Sequence, residues 1–543
     1  MPLILAQDAR KGRTAVAAPV TAAGRPFQIA GWAGTLRRMR SLFLLLGLLA
    51  IAVMGACGNS SSRSDAAGLV PEDSAVYGEV VLNPEGDQQE AVEKIASRFP
   101  GGGDLDAQIA KGLSEALRES GLDYGKDVEP WIGDDAVFFV TDVREDGAEG
   151  ALIVPTQDED ATRAAFEKLE GKPKKRTYED VDYLLAADEA AYGVVDGNAV
   201  IGTEAGLKQA VDTAGGDQSI EDSDRANDAL ERLDDPLLSV YIDGRKLAGA
   251  FAGPDAAIAA PLLESFDSAF TVGITAEPDA LVVDSTVPAA AALAAPYLVS
   301  GGGTEVVSEL PADSFFAVGQ AELGEALTGF FDLIERSGTA GGGAIDDQVK
   351  AATGLDLEQD ILAWMGDLGG FARGTSPLEI DGGVVVLTKD PDSSRRTLDA
   401  LGRLAREEAA GEGERVGPLD LPGGGDGFTV ASDELPQPIH IVQRGERVVA
   451  AYGDEAAEEL LEPSRPLSEN QEFTDASERL GEGYEVSNYI AAEPIIELVD
   501  GVVGPDEEGY AEAKPYLEAF SRLITGSRKD GEDVVSRTRI ELR

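Results

Sequence analysis

The sequence contains one cysteine, Cys57, and one histidine, His440, in 543 residues. A single thiol cannot form an internal disulfide, so each domain must be stabilised by its own core. A single histidine excludes a metal site built from several imidazoles, and a Ser-His-Asp triad would have to use His440. Because Ile439 and Ile441 flank this histidine, we interpret it as a strand residue whose ring is satisfied by a neighbouring side chain.

Basic residues are also scarce. The chain has 45 Lys and Arg against 100 Asp and Glu, a formal net charge of −55. Residues 1–56 hold seven of the basic residues and one acid, so the rest of the chain has 38 against 99. A surface this acidic repels phosphate backbones and anionic headgroups, which argues against nucleic acid as a partner and against electrostatic membrane docking. The acidity can also simply maintain solubility.

The stretch "RRMRSLFLLLGLLAIAVMGAC", residues 37–57, has a basic flank, an apolar run, two small residues and then Cys57. The apolar run is too short for a comfortable membrane span and is typical of an export signal. The layout resembles a bacterial lipoprotein signal. In that class the cysteine is acylated and becomes the mature N-terminus, so the resemblance implies a lipid on Cys57, a membrane partner through that lipid, and an extracytoplasmic location.

We therefore assign residues 1–56 to a leader and lipoprotein-type signal peptide, with Met39 as an alternative start. A plain signal peptide and an uncleaved anchor are the alternatives to lipidation. Residues 57–68 include "GNSSSRSDAAG", a small polar stretch that predicts a flexible tether.

Beyond the tether, six segments recur in the same order. "LVPEDSAVYGEVVL" matches "LPADSFFAVGQAEL", and "ITAEPDALVVDSTV", residues 274–287, matches "ITGSRKDGEDVVSRTRIEL", residues 524–542. This order predicts a duplication with domains at residues 69–303 and 308–543. Hairpins interrupted by helices predict an α+β fold in which each of two tandem homologous domains has a largely antiparallel sheet packed by helices. The length suits two domains of ordinary size.

Both copies contain a Trp-x-Gly-Asp motif, formed by Trp131, Gly133 and Asp134 and by Trp364, Gly366 and Asp367. We expect each Trp to be buried where a helix passes to a strand, because large apolar rings are usually core residues. We expect each Gly to adopt a positive φ and each Asp to accept hydrogen bonds from nearby amides. The alternative is an exposed Trp that binds a ligand.

These features together resemble a bacterial family known as domain of unknown function 3352. The features are the exported N-terminus, "PEDS" or "PADS" before the first strand, the Trp-x-Gly-Asp motif, and an acidic, Ala-rich body. The resemblance covers most of residues 69–543. It implies a location in the envelope and no established activity, so it assigns no functional residues.

A duplicated Asp-x-Asp spacing gives four weak calcium candidates, Asp158, Asp160, Asp390 and Asp392. Carboxylate pairs bind calcium outside the cell, but the twelve-residue loop with its Gly and closing Glu is missing. Capping of a helix N-terminus explains the same residues equally well. The sequence predicts no metal site, no cofactor and no catalytic residue.

We therefore expect a non-catalytic, lipid-anchored protein with a binding or organising role at the bacterial cell envelope, whose partner is an envelope protein or a small ligand. The first alternative is a solute-binding lipoprotein of a transporter, which requires the chain to cross twice between two lobes. The second is an acidic-residue hydrolase, which requires a convergent carboxylate pair in a deep pocket.

Overall fold

The computed structural model describes most of the chain after the leader. The described ranges are residues 64–100, 105–117, 120–144, 147–171, 173–187, 189–246, 269–288, 303–336, 342–376, 378–409, 414–433, 435–504, 507–531 and 533–543. We call the part before residue 289 the N-terminal half and the part from residue 303 the C-terminal half. Cys57 lies outside the described residues.

Twenty strands of the described residues form the sheet. In the N-terminal half they are β1 Val76–Val81, β2 Asp135–Arg144, β3 Gly147–Pro155, β4 Lys174–Tyr178, β5 Val181–Leu185, β6 Ala190–Val195, β7 Asn198–Thr203, β8 Leu238–Asp243, β9 Ala269–Glu277 and β10 Ala280–Pro288. In the C-terminal half they are β11 Phe316–Gln320, β12 Met365–Arg373, β13 Asp381–Thr388, β14 Glu414–Pro418, β15 Asp426–Ser432, β16 Ile439–Arg444, β17 Arg447–Tyr452, β18 Glu485–Ala491, β19 Phe520–Asp530 and β20 Asp533–Leu542.

Helices connect and cover these strands. They are α1 Gly86–Ser97, α2 Leu105–Leu117, α3 Glu159–Lys168, α4 Glu204–Ala214, α5 Asp224–Leu230, α6 Val306–Glu309, α7 Leu323–Arg336, α8 Gly342–Thr353, α9 Pro391–Ala409, α10 Asp454–Leu461, α11 Gln471–Glu478, α12 Ala492–Val503 and α13 Glu508–Leu517. Among the described residues, no helix combines the length and apolar content that crossing a membrane requires.

All pairings between the described strands are antiparallel, so the predicted α+β class is confirmed. In the N-terminal half the strand order is β4-β5-β6-β7-β3-β2-β1-β8-β9-β10. In the C-terminal half it is β14-β15-β16-β17-β13-β12-β11-β18-β19-β20. The second order repeats the first with every strand number raised by ten.

The two orders join where β10 pairs with β20, from Ala280 opposite Glu541 to Pro288 opposite Asp533. We call this pairing the seam. The sequence led us to expect a separate sheet in each half, whereas the strands form one continuous sheet. Edge strands of this kind carry free N–H and C=O groups, and the seam satisfies those of both halves.

The core lies on both faces of the sheet. Residues 150–154 of β3 are all buried, because α4 packs on one face and Trp131 with Phe166 on the other. Continuous burial of this kind is expected where both faces are covered. In the C-terminal half, Tyr489 packs with α10 and α11 on the face that corresponds to Tyr77 and α4.

The predicted tether, residues 57–68, is wrong for its last five residues. Ser64 caps a 3-10 turn at Asp65–Leu69 by accepting a hydrogen bond from the Ala66 amide. Ala66, Ala67 and Leu69 are buried in the core beside α4. The sequence led us to assign Ala66 and Ala67 to a flexible linker, but these small side chains are packed closely in the core.

Candidate functional site

The first Trp motif is part of the core. The Trp131 side chain is buried, and its ring meets Phe166 of α3 edge to face, with centroids 6.0 Å apart. The indole N–H donates to the Asp127 carbonyl, 2.6 Å away, in a π-helical turn at Tyr124–Val128. A buried ring with its polar atom satisfied is a packing residue.

The second Trp motif has the same place in the C-terminal half. Trp364 is buried against Leu398 and Val448, and its indole N–H donates to the Thr397 hydroxyl at 3.2 Å. It follows a π-helical turn at Leu357–Leu362. Both Trp side chains therefore lie between helix and sheet, and neither presents a ring to a ligand.

Each motif glycine is required because a backbone carbonyl oxygen lies too close to it for a side chain. A Cβ on Gly133 would lie 2.5 Å from the Pro155 carbonyl oxygen, and one on Gly366 would lie 2.7 Å from the Leu387 oxygen. Neither glycine has a positive φ, so the predicted left-handed turn is wrong. In both halves the motif passes so near the end of the neighbouring strand that no side chain fits.

The motif acids tie the strand start to nearby segments. Asp134 accepts from the Asn83 side-chain amide at 2.7 Å, rather than from a backbone amide. Asp367 accepts from the Thr304 hydroxyl at 2.6 Å and from the Glu322 backbone amide at 3.0 Å. The motif acid of the C-terminal half, Asp367, therefore accepts from a backbone amide as predicted, whereas Asp134 in the N-terminal half accepts from a side-chain amide.

Asp135 is a residue that sequence reasoning missed. Burial raises its pKa above the usual value, a hydrogen bond from Ser64 opposes that rise, and the charges of Asp134 and Asp65 add to it. Ser64 is the first described residue, so Asp135 fastens the described N-terminal segment to β2. Its position next to the motif Asp is the only sequence signal that could have marked it.

The calcium candidates cap helices. Asp158 accepts from the Ala161 amide at 2.9 Å at the start of α3. Asp390 accepts from the amides of Asp392 and Ser393 and from the Ser393 hydroxyl, which lowers the pKa of Asp390.

The second acid of each Asp-x-Asp pair, Asp160 or Asp392, does not join the first acid at a common site. Asp392 pairs with Arg395 at 2.7 Å, and Asp160 is exposed in the first turn of α3. Among the described residues, no group of three or more metal-ligating side chains is placed to hold one ion.

His440 is fully buried on β16. Its Nδ1 lies 3.1 Å from the Thr429 hydroxyl, and its Nε2 lies 2.7 Å from Oδ1 of Asp454 at the start of α10. Both ring nitrogens therefore have neighbours, as interpreted from the sequence. Thr429 and Asp454 lie on opposite ring nitrogens, so the buried ring links β15 and β16 to α10.

The seam concentrates the basic residues of the sheet centre. Arg537 of β20 lies opposite Asp284 of β10, with Nε at 2.7 Å from Oδ1 and Nη2 at 3.0 Å from Oδ2. The guanidinium also lies over the Tyr484 ring and donates to the Leu480 carbonyl. A two-point pair of this geometry is specific as well as strong.

Arg539 forms a second two-point pair across the seam. Its side chain is 4% exposed, and both Nη atoms donate to Glu277 at 2.7 and 2.8 Å. Its Nε is buried without a hydrogen-bond partner in the described part of the chain, with Glu541 3.8 Å away. Glu541 also meets Arg522 at 3.2 Å.

Two further ion pairs join the halves, Arg479 with Asp279 at 2.8 Å and Arg232 with Asp533 at 2.7 Å. Each of these four guanidinium groups meets a carboxylate from the other half, so the two charges compensate each other. This arrangement holds two parts of a sheet together.

The seam residues carried a weak sequence signal. In "SRTRIELR" near the C-terminus, Arg537, Arg539 and Glu541 alternate with apolar or small residues. In a strand this spacing puts all three on one face, where an acidic protein rarely places arginines. Their partners on β9 and β10 carry no matching signal.

The sequence matches the family described as protein of unknown function, DUF3352, over residues 39–485. No curated protein matches the chain. Among solved structures, crystal form IV of TP0453 is 11% identical over 42% of this chain and 81% of that chain, with a TM-score of 0.23. Crystal form I is 10% identical over 42% and 80%, with a TM-score of 0.22. A likeness this low carries no argument about fold or function.

Proposed function

The chain belongs to the DUF3352 family of proteins of unknown function, and from that premise we propose that it is a lipid-anchored, extracytoplasmic, non-catalytic protein with a binding or organising role at the cell envelope. The predicted family membership is confirmed. The family carries no activity with it, so the role has to be argued from the residues of this chain.

The observation that carries the proposal is the short distance between Cys57 and the folded chain. The apolar export signal ends at Cys57, and Ser64 is already fixed in the core, so six residues separate them. A lipid on Cys57 would hold the folded body close to the membrane. The family match begins at residue 39 and so includes the apolar run and Cys57.

The proposal is tested by the intact mass of the protein recovered from its native membrane fraction. We expect a species that begins at Cys57 and carries a diacylglyceryl adduct. A water-soluble species that retains residues upstream of Cys57 would overturn the anchor and the location with it. The variant Cys57→Ser is the matched control, because it removes the acylated atom and should release the protein into the soluble fraction.

We also propose that the chain is a tandem duplication of one α+β domain, with copies at residues 69–303 and 308–543. Support comes from the repeated strand order described above. Local contacts repeat as well: a Cβ on Gly273 would lie 2.9 Å from Leu233, and one on Gly526 would lie 2.8 Å from Leu480. Two unrelated sequences have no reason to share such a contact at the same point of the strand order.

A protease site inserted between residues 289 and 302 tests the two-domain proposal. We expect the cleaved halves to stay folded and associated through the seam, and to elute together at low ionic strength. Loss of secondary structure on cleavage would show that neither half is a domain. An insertion of the same length without the protease site is the control for the insertion itself.

The alternatives gain no support from the described residues. A solute-binding protein requires two crossings of the chain between its lobes, whereas here all ten strands of one series precede all ten of the other. For a hydrolase, the carboxylates that face arginines across the seam are already neutralised, as Asp284 and Glu277 show.

A further inference from the structure

Exposed apolar side chains are concentrated in the hairpin of α12 and α13. Seven large apolar side chains of the described residues are markedly exposed, and four of them lie here: Val502 at 65%, Val503 at 46%, Tyr516 at 49% and Leu517 at 41%. Single exposed apolar residues need no explanation, but a group on one element marks an interaction surface.

The apolar residues of α12 form one side of the helix. Positions 495, 496, 498, 499, 502 and 503 are all Ile, Leu or Val, at the spacing that keeps them on one side. Glu493, Glu497 and Asp500 lie on the other side. None of the twelve residues of α12, all of them described, is buried. The first four apolar residues are half-buried, and the helix contacts β19, while Val502 and Val503 at its C-terminal end are exposed.

The hairpin is nevertheless a defined structure. Lys514 of α13 pairs with Asp500 of α12 at 2.7 Å, and the Tyr510 hydroxyl donates to the Ile496 carbonyl at 3.4 Å. The Asp500 pairing also lowers the pKa of that carboxyl. The two helices are joined through polar groups, and Val502 and Val503 remain exposed.

The hairpin leaves the sheet at the same end of the strands as Asp135, which lies beside Ser64. α12 follows the end of β18, and α13 precedes the start of β19. The strand residues at this end of the sheet are Asp135, Val81, Leu238, Glu277, Ala280, Leu542 and Phe520. Ser64 lies beside Asp135 at this end of the strands, where it opposes the rise in the pKa of that carboxyl. Asp243, Ala269 and Pro288 lie at the opposite end of the strands.

The lipid on Cys57 and the hairpin can meet one membrane without touching each other. Seven residue steps from Cys57 to Ser64 span at most about 24 Å when extended. Six strand spacings of about 4.8 Å, or about 29 Å along the sheet, separate β2 from β19. The chain before Ser64 need not span this distance: Asp135 and the hairpin lie at the same end of the strands, so an acyl chain on Cys57 can enter the same bilayer that the hairpin touches.

Charge favours a neutral bilayer over a second copy. The hairpin carries Glu493, Glu497, Glu512 and Glu518 on a chain whose net charge is −55, so two copies meeting here would bring like charges together. Anionic headgroups would be repelled for the same reason. Insertion of aliphatic side chains below neutral headgroups requires no opposite charge.

We infer that the α12 and α13 hairpin is a membrane-docking element that inserts its apolar side into the surface of a lipid bilayer. This inference rests on the proposed lipid anchor, because one weak apolar contact and one acyl anchor reinforce each other when they act on the same membrane. The anchor keeps the protein at the membrane, and the hairpin fixes which side of the body faces it.

Depth-dependent fluorescence quenching tests the inference on the full lipidated chain. Because Cys57 is the only native cysteine and its thiol is acylated, Val502→Cys can be labelled alone with an environment-sensitive dye. In phosphatidylcholine vesicles with brominated acyl chains, we expect the label to shift to shorter wavelength and lose most of its emission. Leu401→Cys on α9, which is 44% exposed, is the matched control and should remain unquenched.

The outcomes separate the two proposals. Protein that floats with the vesicles while the label at 502 stays unquenched overturns the docking inference and leaves the anchor intact. Protein that does not float overturns the anchor. An emission shift at 502 that grows with protein concentration without vesicles identifies a second copy as the occupant and also overturns the inference. The pair Val502→Glu and Val503→Glu should abolish quenching of a label at Tyr516→Cys without loss of flotation.

Discussion

Asp284 and Arg537 lie directly opposite each other at the centre of the seam, and each occupies the same position in its own series of ten strands. Asp284 is opposite Gly273 of β9, and Arg537 is opposite Gly526 of β19. The equivalent position of the two strand series is therefore a carboxylate, Asp284, in the N-terminal half and a guanidinium, Arg537, in the C-terminal half. Two identical residues at such a point would repel each other or leave a gap.

Replacing Asp284 by Ala should destabilise the protein by about 1 to 3 kcal/mol, because Arg537 is 30% exposed and would lose the partner for two hydrogen bonds. Chemical denaturation measures the change. Glu159→Ala is the control, since its pair with Arg163 is about half exposed on both sides and should contribute about 0.5 kcal/mol or less. The exchange Asp284→Arg with Arg537→Asp should recover part of the loss, and equal effects of Asp284→Ala and Glu159→Ala would contradict the role of the seam.

Adding a single methyl group to the motif glycines should be costly. In Gly133→Ala the new Cβ would lie 2.5 Å from a backbone carbonyl oxygen, so the strand must move, and we expect a loss of about 1 to 3 kcal/mol. Gly112→Ala in α2 meets nothing within 4 Å and should be neutral or stabilising, by up to about 1 kcal/mol. Thermal unfolding of both variants gives the comparison, and a neutral Gly133→Ala would show that the motif tolerates a side chain.

The order of elements was predictable from the sequence, because apolar strands and capped helices recur with local signals. The register was not. Aligning β9 with β19 by residue identity matches Ile274 with Ile524. In the sheet, Thr271 lies opposite Tyr241 and Ile524 lies opposite Tyr489, so the structural counterpart of Ile524 is Thr271. The two alignments differ by three residues. Burial decides the register of a strand, and the longer β19 and β20 hairpin hides that shift from a comparison of letters.

The seam was unpredictable for a different reason. Pairing between β10 and β20 joins residues about 250 positions apart, and no turn or spacing in the sequence specifies it. The close approach at Gly133 likewise depends on a carbonyl 22 residues away rather than on local backbone preference. Contacts of this kind exist only after the sheet has formed.

Two acids should change the stability in opposite directions with pH. Burial raises the pKa of Asp135, so the folded state holds its proton more tightly than the unfolded state, and ionisation costs stability as pH rises. Asp135→Asn should therefore raise the unfolding midpoint at neutral pH and give no gain in acid. Denaturation midpoints measured from pH 3 to pH 8 test this, and a lower midpoint for Asp135→Asn at neutral pH would show that the charged form is the stabilising one.

Asp390 is the counterpart. Hydrogen bonds from Ser393 and Asp392 lower its pKa, so its contribution is present above the pKa of the unfolded chain and is lost as pH falls through the lowered value. Asp390→Asn should destabilise at neutral pH, and its midpoint should meet that of the unmodified protein in acid. Asp392→Asn is the matched control, because Asp392 is exposed and pairs only with the exposed Arg395. A constant difference across the pH range would assign the effect to packing rather than to charge.

The two Trp side chains make the halves separately visible. Trp131 reports on the N-terminal half and Trp364 on the C-terminal half, and both are about 4% exposed, so the protein without its leader should emit at short wavelength and resist acrylamide quenching. Because the seam joins the halves through a full strand pairing and four ion pairs, we expect Trp131→Phe and Trp364→Phe to show coincident unfolding transitions. Introducing Asp284→Ala into each of these Trp variants should separate their unfolding transitions. The less stable half would then lose stabilisation that it receives from the other half through the seam. Transitions that already differ in the single variants would mean that the seam does not couple the halves.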